Sequence, residues 1–558
     1  MSEQENEVKQ EGFLLNNKSL YVWIVLAVGW LFDFLFWDKV PGISIALFIF
    51  IVLGVGFYLA RQQGLSPAPG VQLLVIPILF FAVMTFIRVE PMTVFLNMSA
   101  ALALMGLLAH SFLGGKWWRY TFKDHFLAFF FVGVDAMFRQ ISVFTSQPKA
   151  EVPETGDGKP EKSRTRTTLA VVRGLLIALP IVLVFGAMLA EADPIFEQVV
   201  GDFLDFFQIE NLGEYIFRAI LICIIAYVLL GVYLHAFYKN HDDGLVSDES
   251  KRLLPRFLGF TESAIILGSV NLLFLAFVVI QFQYFFGGQE NINLTGFTYA
   301  EYARRGFSEL VAVSVFSLLL FMGLSFITKK ADRAQGVFSG LGVALLALVT
   351  VILVSSFQRL HLYEQAYGFS RLRTYTHVFI FWLGALLAGV IVLELIRRPR
   401  FFALATVIAC MGFVVTLDVM NVDGFIVRQN VGRTAAGEEL DIGYLASLSE
   451  DALPIMANLY TQADRPADQD ALRGAIACHA VNNYDYDYAD HPYNHYSWQS
   501  FHLSRFRAQQ TWDDLGGADD DVFGVIYGDE YEEEDPWNAY VTVDGEEISC
   551  QNYRYGWD

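Results

Sequence analysis

The chain has 558 residues, of which 54% are hydrophobic and 17% are charged. Soluble domains carry about 25% charged residues, so this composition excludes an ordinary soluble protein and indicates an integral membrane protein. The net charge of −21 is concentrated in residues 421–558, which hold 27 Asp or Glu and seven Lys or Arg. A nearly neutral membrane part is therefore followed by an acidic tail, and this charge argues against a nucleic-acid partner.

Long apolar runs divide most of the chain. Residues 1–19 are polar and lack the pattern of a signal peptide, which predicts a cytoplasmic leader. Runs of about 20 residues, the length needed to cross a bilayer, then predict an all-α bundle of eleven transmembrane helices, four within 20–113 and seven within 168–420. The predicted spans are 20–37, 42–60, 71–88, 93–113, 168–190, 214–237, 260–283, 305–327, 334–356, 376–396 and 402–420.

The loops between these spans alternate in charge. The connections at 114–167, 238–259, 328–333 and 397–401 are rich in Lys and Arg, whereas the loop at 191–213 has six Asp or Glu and no base. Because basic loops stay on the cytoplasmic side, the alternation predicts a cytoplasmic N-terminus and an extracytoplasmic tail.

The segments outside the predicted spans differ in composition, and each composition predicts a different kind of structure. Residues 117–144 are apolar but interrupted by charges, which favours a helix on the cytoplasmic face of the membrane; a further span is the alternative. The rest of the connection, to residue 167, has the composition of a flexible linker. Residues 421–510 predict a small extracytoplasmic cap, mostly helical or α+β, and residues 511–558 an acidic tail.

Two of the four cysteines, Cys478 and Cys550, lie in the predicted extracytoplasmic region. An oxidising compartment would preserve a disulfide between them; two unrelated thiols are the alternative, because two cysteines carry little spacing information. No cofactor and no metal site are predicted. The segment His491–His495 has no recognised ligand spacing, and the sequence contains no phosphate-binding GxxxxGK[ST] loop and no HExxH, GxSxG or CxxC motif.

A polar stretch, Arg359–His377, separates two apolar runs and is predicted to connect the outer ends of their helices. A second polar stretch, Tyr299–Leu310, lies on the same predicted face. Polar groups beside a membrane core are costly unless they have partners or a water-filled cavity. Together the two stretches supply the candidate ligand-binding residues, which are Tyr302, Arg304, Arg305, Glu309, Arg359, Tyr363, Glu364, Tyr367, Arg371, Arg373 and His377.

These residue types have two interpretations. Arginine binds carboxylates and phosphates through paired hydrogen bonds, and tyrosine adds hydroxyl groups and stacking surface. The stretches therefore predict an outward-facing pocket for an anionic lipid headgroup or another envelope component. The alternative is a network of ion pairs that holds helix ends together. His377 has the chemistry of a proton carrier or general base, although a single histidine at a helix end is more often structural.

Several segments are similar to known families. EYARRGFSEL (301–310), RLHLYEQAYGFSRLRTYTHVFIFWL (359–383), and NVDGFIVRQN followed by LDIGYLASLSEDALP (421–454) resemble two families of bacterial multi-pass membrane proteins, the domains of unknown function 4173 and 4153. The resemblance covers about residues 170–508. It implies a bacterial integral membrane protein and assigns no catalytic residue. We expect the protein in the bacterial inner membrane.

Two functions remain open at this point. The first is a non-enzymatic envelope protein, surrounded by membrane lipids, that acts in transport, in sensing or as an assembly scaffold. The second is a membrane-embedded enzyme acting on a lipid-linked or phosphate-bearing substrate at the outer leaflet, with Glu301, Glu309 or Glu364 as base. We expect the first. Few charged residues lie at span centres, which argues against proton-coupled transport.

Overall fold

The computed structural model describes residues 18–145, 212–238, 257–286, 306–329, 332–484, 497–516, 523–527, 539–543 and 545–550, with a few single positions between 178 and 196. Up to residue 420 its helices are α1 Lys18–Phe36, α2 Ile43–Gln62, α3 Pro69–Ile87, α4 Pro91–Ser111, α5 Phe122–Thr145, α6 Leu212–Tyr238, α7 Phe260–Phe286, α8 Phe307–Ile327, α9 Asp332–Tyr367, α10 Arg371–Leu395 and α11 Phe402–Met420.

Ten of these helices, all except α5, are long and apolar enough to cross a membrane. An apolar helix suits this environment because every backbone polar group within it is satisfied internally. The prediction of an all-α membrane helix bundle is therefore confirmed. Ten of the predicted spans have a counterpart among the described helices, and the remaining one, 168–190, lies outside the described residues apart from single positions.

The clearest difference from the predicted bounds concerns the stretch Arg359–His377. The helix predicted to end at residue 356 continues to Tyr367, and the helix predicted to begin at 376 begins at Arg371. The stretch therefore contains two helix ends and a turn of three residues, 368–370. Polar side chains did not require a loop here, because partners in the folded chain stabilise them. Gly368, with a positive φ of 78°, ends α9 in the conformation that glycine adopts most easily.

The described residues after α11 form the cap, which is α+β. It contains α12 Val422–Arg433, α13 Ile442–Ala446, α14 Leu453–Gln462, α15 Pro466–Tyr484 and α16 Leu503–Asp514. Strands β1 Val525–Tyr527, β2 Ala539–Val543 and β3 Glu546–Ser549 form an antiparallel sheet in the order β1-β2-β3, in which Val541 lies opposite both Val525 and Ile548.

The cap has an apolar core that is continuous with the start of α10 and the end of α11. Leu472 and Ile476 of α15 are completely buried, and they belong to the same cluster as Val541 of β2 and Leu417 of α11. A disulfide joins Cys478 of α15 to Cys550, directly after β3. Burial of this apolar surface, together with the covalent link, holds the cap as a folded body.

The chain divides into two compact units. The first contains residues 1–38, 51–66 and 131–239, and the second contains residues 39–50, 67–130 and 240–558. In the first unit, Arg218 of α6 pairs with the buried Asp33 of α1, with Nη2 2.6 Å from Oδ2. The second unit contains the cap and every residue of the candidate site.

Candidate functional site

A pocket of about 350 Å³ opens within the second unit, where the end of α9 and the start of α10 meet α11 and α12. Its walls are mostly aromatic and aliphatic, and its polar side chains come from α9, α10 and α12. The lining residues are Phe357, His361, Glu364, Phe369, Thr374, His377, Val378, Met420, Phe425 and Gln429. Among these, Glu364 and His377 belong to the residues that the sequence singled out.

Glu364 and His377 face each other across the turn between α9 and α10. The Glu364 side chain is completely buried, and its two carboxylate oxygens lie 3.2 and 3.1 Å from Nδ1 of His377. A buried carboxylate is costly without a donor, so Nδ1 carries the proton that it donates. In a neutral ring, Nε2 is then a hydrogen-bond acceptor. The edge of the His377 ring also contacts Phe357, with ring centroids 4.3 Å apart.

Thr374, one turn before His377 on α10, adds a second polar group to the pocket lining. Its side chain is 1% exposed, and its hydroxyl has no hydrogen-bond partner within the described part of the chain. Most buried polar groups in folded proteins are satisfied. A buried, unpartnered hydroxyl in a pocket wall is therefore a group that a bound molecule would satisfy.

Arg371 pairs with a residue of the cap and does not belong to the pocket lining. Its Nε and Nη2 donate to the two carboxylate oxygens of Asp423 at 2.9 and 2.7 Å, and the backbone N–H of Ser449 also donates to Asp423 at 2.7 Å. Burial alone would raise the pKa of Asp423, but the hydrogen bonds and charge of Arg371 hold it below its ordinary value. This ion pair, in which Asp423 is buried and Arg371 is half-buried, connects α10 to the cap.

Arg373 likewise acts at the turn. Its guanidinium lies 4.2 Å from the centroid of the Tyr363 ring and donates to the carbonyl oxygens of Tyr367, at 3.0 Å, and Gly368. Arg433 of α12 donates to the carbonyl oxygen of Gln365 at 2.9 Å. Cations near the last carbonyls of a helix stabilise its C-terminal end. These two arginines therefore cap α9.

The remaining predicted site residues lie apart from this pocket or outside the described residues. Tyr302, Arg304 and Arg305 are outside the described residues. Glu309 is exposed at the start of α8 and accepts a hydrogen bond from the Ser308 hydroxyl at 3.0 Å. Tyr367 is 53% exposed. Arg359 is directed toward Gly306, where a side-chain Cβ would lie 3.2 Å from its Nη1.

A second polar cluster connects the cap to the hairpin of α3 and α4. The carboxylate of Asp451 accepts from the backbone N–H of Val89 at 2.9 Å, from that of Glu90 at 3.3 Å and from the Ser504 hydroxyl. Arg88 lies 3.5 Å away. Burial raises the pKa of Asp451, and the bonds from Ser504 and Val89 oppose this increase.

The pairing in this cluster was not predicted. The only sequence signal was that ionisable residues such as Arg88, Glu90 and Asp418 fall near helix ends. The partners of Arg88 and Asp418 lie more than 300 positions away along the chain, as in the bond of Arg88 Nε to the carbonyl oxygen of Asp418 at 2.8 Å. No local pattern indicates a pairing at that separation.

The ten candidate spans define a multi-pass membrane protein. The profile of the family described as Domain of unknown function (DUF4153) matches residues 75–459, which is more than half of the chain, and the chain belongs to this family. The match includes every residue that lines the pocket. The resemblance to domain 4153 is thereby confirmed, whereas the resemblance to domain 4173 stays a prediction. No curated protein and no solved structure matches the chain.

Proposed function

We propose that the protein is a non-enzymatic envelope membrane protein that binds a small amphipathic molecule, in transport or sensing, in the pocket around Glu364. The observation that carries this proposal is the combination of a fully buried carboxylate, its imidazole partner and aromatic walls in one cavity. Ligand pockets of about 300–1,000 Å³ are typically apolar with a few polar groups that orient the ligand. This pocket is at the small end of that range.

The charge of the lining favours a ligand with an ammonium group or a strong hydrogen-bond donor. Glu364 is the one carboxylate in the lining, and neither Arg nor Lys belongs to it among the described residues. Aromatic faces such as those of Phe357, Phe369 and Phe425 attract organic cations. An anionic headgroup also remains a prediction, and it now rests on Arg304 and Arg305, because Arg371 and Arg373 are bonded elsewhere.

We place the pocket and the cap on the extracytoplasmic side of a bacterial inner membrane. The alternating loop charges support this orientation. So does the disulfide between Cys478 and Cys550, since disulfides persist in oxidising compartments and are rare in the cytosol. The ligand would then come from the outer leaflet or from the space outside it.

A binding measurement with Glu364→Gln tests the proposal. The probe is a fluorescent alkylammonium compound, compared with the alkyl alcohol of the same length, on purified protein in detergent. We expect the ammonium probe to bind the wild type at least about tenfold more tightly than the variant, because a charge-assisted bond in a buried site is lost. Glu309→Gln, which removes an exposed carboxylate, is the matched control and should bind like the wild type. Equal affinities for wild type and Glu364→Gln would reject the proposal.

One observation favours a second candidate function, an enzyme that acts on a lipid-linked phosphate ester. The Glu364 carboxylate lies 3.1 Å from Nδ1 of His377 and orients the imidazole ring. Histidines that act as general bases are commonly oriented in this way. Incubation with a lipid-linked diphosphate separates the two candidates. Release of inorganic phosphate by the wild type, and its loss in His377→Gln, would support the enzyme. An absence of release together with binding of the ammonium probe would support the binding protein.

A further inference from the structure

Asp418 and Asn97 form a buried pair within the second unit, away from the pocket lining. Asp418 lies near the end of α11 and Asn97 lies on α4, and both side chains are completely buried. The amide Nδ2 of Asn97 donates to Oδ1 of Asp418 at 2.7 Å. The other oxygen of each side chain, Oδ2 of Asp418 and Oδ1 of Asn97, is buried without a hydrogen-bond partner in the described part of the chain.

The charged groups around this pair are occupied by other partners. Arg88 donates through Nε to the backbone carbonyl of Asp418 at 2.8 Å, and its Nη1 lies 3.5 Å from the carboxylate of Asp451. Glu90 caps α4 by accepting from the backbone N–H groups of Met92 and Thr93 at 3.0 and 2.7 Å. Arg88 therefore forms its ion pair with Asp451, and the side chain of Asp418 receives a single neutral donor, from Asn97.

An ionised Asp418 would be poorly stabilised in this position. A carboxylate accepts about four hydrogen bonds when it is fully satisfied, and a buried, unpaired charge costs several kcal/mol. The Asp451 carboxylate has its donors, and the N-terminus of α4 satisfies Glu90. Of these three carboxyl groups, Asp418 is the one whose side chain has a neutral amide as its hydrogen-bond donor in the described part of the chain, while the nearby Arg88 forms its ion pair with Asp451.

We propose that the Asp418–Asn97 pair is a proton-binding site. A proton taken from water onto Oδ2 of Asp418 removes the negative charge and creates an O–H donor. The acceptor for this donor is Oδ1 of Asn97, which otherwise has none. A carboxylic acid and a primary amide are complementary, because each contributes one donor and one acceptor. One proton thus accounts for both unpartnered oxygens.

The site lies at the attachment of the cap. Three residues after Asp418, Asn421 donates through Nδ2 to the carbonyl oxygen of Asp451 at 3.1 Å, and the carboxylate of Asp451 bonds the α3–α4 connection. Loss of the proton would place a second negative charge beside Asp451 and draw Arg88 away from it. Proton binding therefore stabilises the contact between the cap and the helices.

Infrared difference spectroscopy of the full chain in detergent at neutral pH tests the site. A protonated carboxyl group gives a C=O stretch that shifts on exchange into D₂O and is separate from the carboxylate bands. We expect such a band in the wild type and its loss in Asp418→Asn, which retains the shape and neutral charge of the protonated side chain. Asn97→Val should keep the band but shift it to higher frequency, because the hydrogen bond to the C=O group is removed.

Glu394→Gln is the matched control, because Glu394 is also a buried carboxyl group, bonded to Ser339 of α9 near the C-terminal end of α10. The Asp418 component of the spectrum should persist in that variant. A wild-type spectrum without a protonated carboxyl band, or one that Asp418→Asn leaves unchanged, would show that Asp418 is ionised and would overturn the proposal. If Asp418→Asn does not fold, the frequency shift in Asn97→Val assigns the band to Asp418, and a band that Asn97→Val leaves unshifted would overturn the proposal.

Discussion

Asn430 of α12 uses both ends of its side-chain amide on a single residue, Phe369, in the turn between α9 and α10. The backbone N–H of Phe369 donates to Oδ1 of Asn430 at 2.7 Å, and Nδ2 of Asn430 donates to the carbonyl oxygen of Phe369 at 3.0 Å. The two bonds satisfy backbone groups that no strand or helix partner reaches. Phe369 lines the pocket. Asn430 of the cap therefore holds the backbone of a residue in the pocket wall.

Asn430→Asp should lower stability by about 1–3 kcal/mol, because the variant keeps the acceptor for the Phe369 N–H but places an oxygen against the Phe369 carbonyl. Unfolding by denaturant, followed by tryptophan fluorescence in detergent, measures the change. Asn458→Asp is the control, since Asn458 is exposed on α14, and it should stay within about 0.5 kcal/mol of the wild type. Similar losses in both variants would contradict the role of Asn430.

Gly368→Ala tests the same turn from the other side. Gly368 has a φ of 78°, and a Cβ at this position would lie 2.7 Å from Nη1 of Arg433 and 2.9 Å from Oδ1 of Asn430. Backbone strain of about 1–3 kcal/mol therefore adds to displacement of the side chains that hold the turn. We expect reduced stability in denaturant unfolding and reduced affinity for the ammonium probe.

Gly432→Ala provides the matched control for that experiment. Gly432 lies within α12, and a Cβ there would have no atom within 4 Å. Alanine should stabilise the helix by about 0.5–1 kcal/mol. If both alanine variants stabilised the protein, the strain and close contacts expected for a Cβ at Gly368 would be contradicted.

The sequence predicted the helices well because each span depends on local composition. It also identified Glu364 and His377, since charged residues next to apolar runs are conspicuous. It did not predict the ion pair of Arg371 with Asp423, which is 52 residues away. Nor did it predict the hydrogen bonds between Asn430 and Phe369, which are 61 residues apart. The pocket walls from α11 and α12 could not be predicted either, because they depend on how the cap packs rather than on any local pattern.

The stability of the cap should fall as the pH decreases below about 6.5, the ordinary pKa of histidine. His479 is completely buried, with Nδ1 3.2 Å from the carbonyl oxygen of Ala446, and burial lowers its pKa. Below pH 6.5 the unfolded chain takes up a proton that the folded chain does not, so acid favours unfolding. The lowered pKa of Asp423 adds a further loss below about pH 4, where unfolded aspartate becomes protonated.

His479→Asn removes the titrating group while keeping a donor at the position of Nδ1. Denaturant unfolding between pH 7 and pH 5 should show a shallower dependence on pH for the variant than for the wild type, whatever its stability at pH 7. Parallel pH dependences would mean that His479 contributes nothing to the acid sensitivity, and another buried histidine, His502, whose pKa burial also lowers, would be the next to test.

The disulfide between Cys478 and Cys550 should stabilise the cap and report its compartment. The two cysteines are 72 positions apart, and closing a loop of that length contributes about 4 kcal/mol in the chain-entropy account. A Cys478→Ala, Cys550→Ala double variant should therefore be more sensitive to proteolysis within the cap.

The oxidation state of the same two cysteines tests the compartment of the cap. Cys223→Ser and Cys410→Ser first remove the free cysteines. Denaturation of cell-derived protein with a thiol reagent and no reductant should then label no cysteine if the cap is extracytoplasmic, and two per chain if it faces the reducing cytosol.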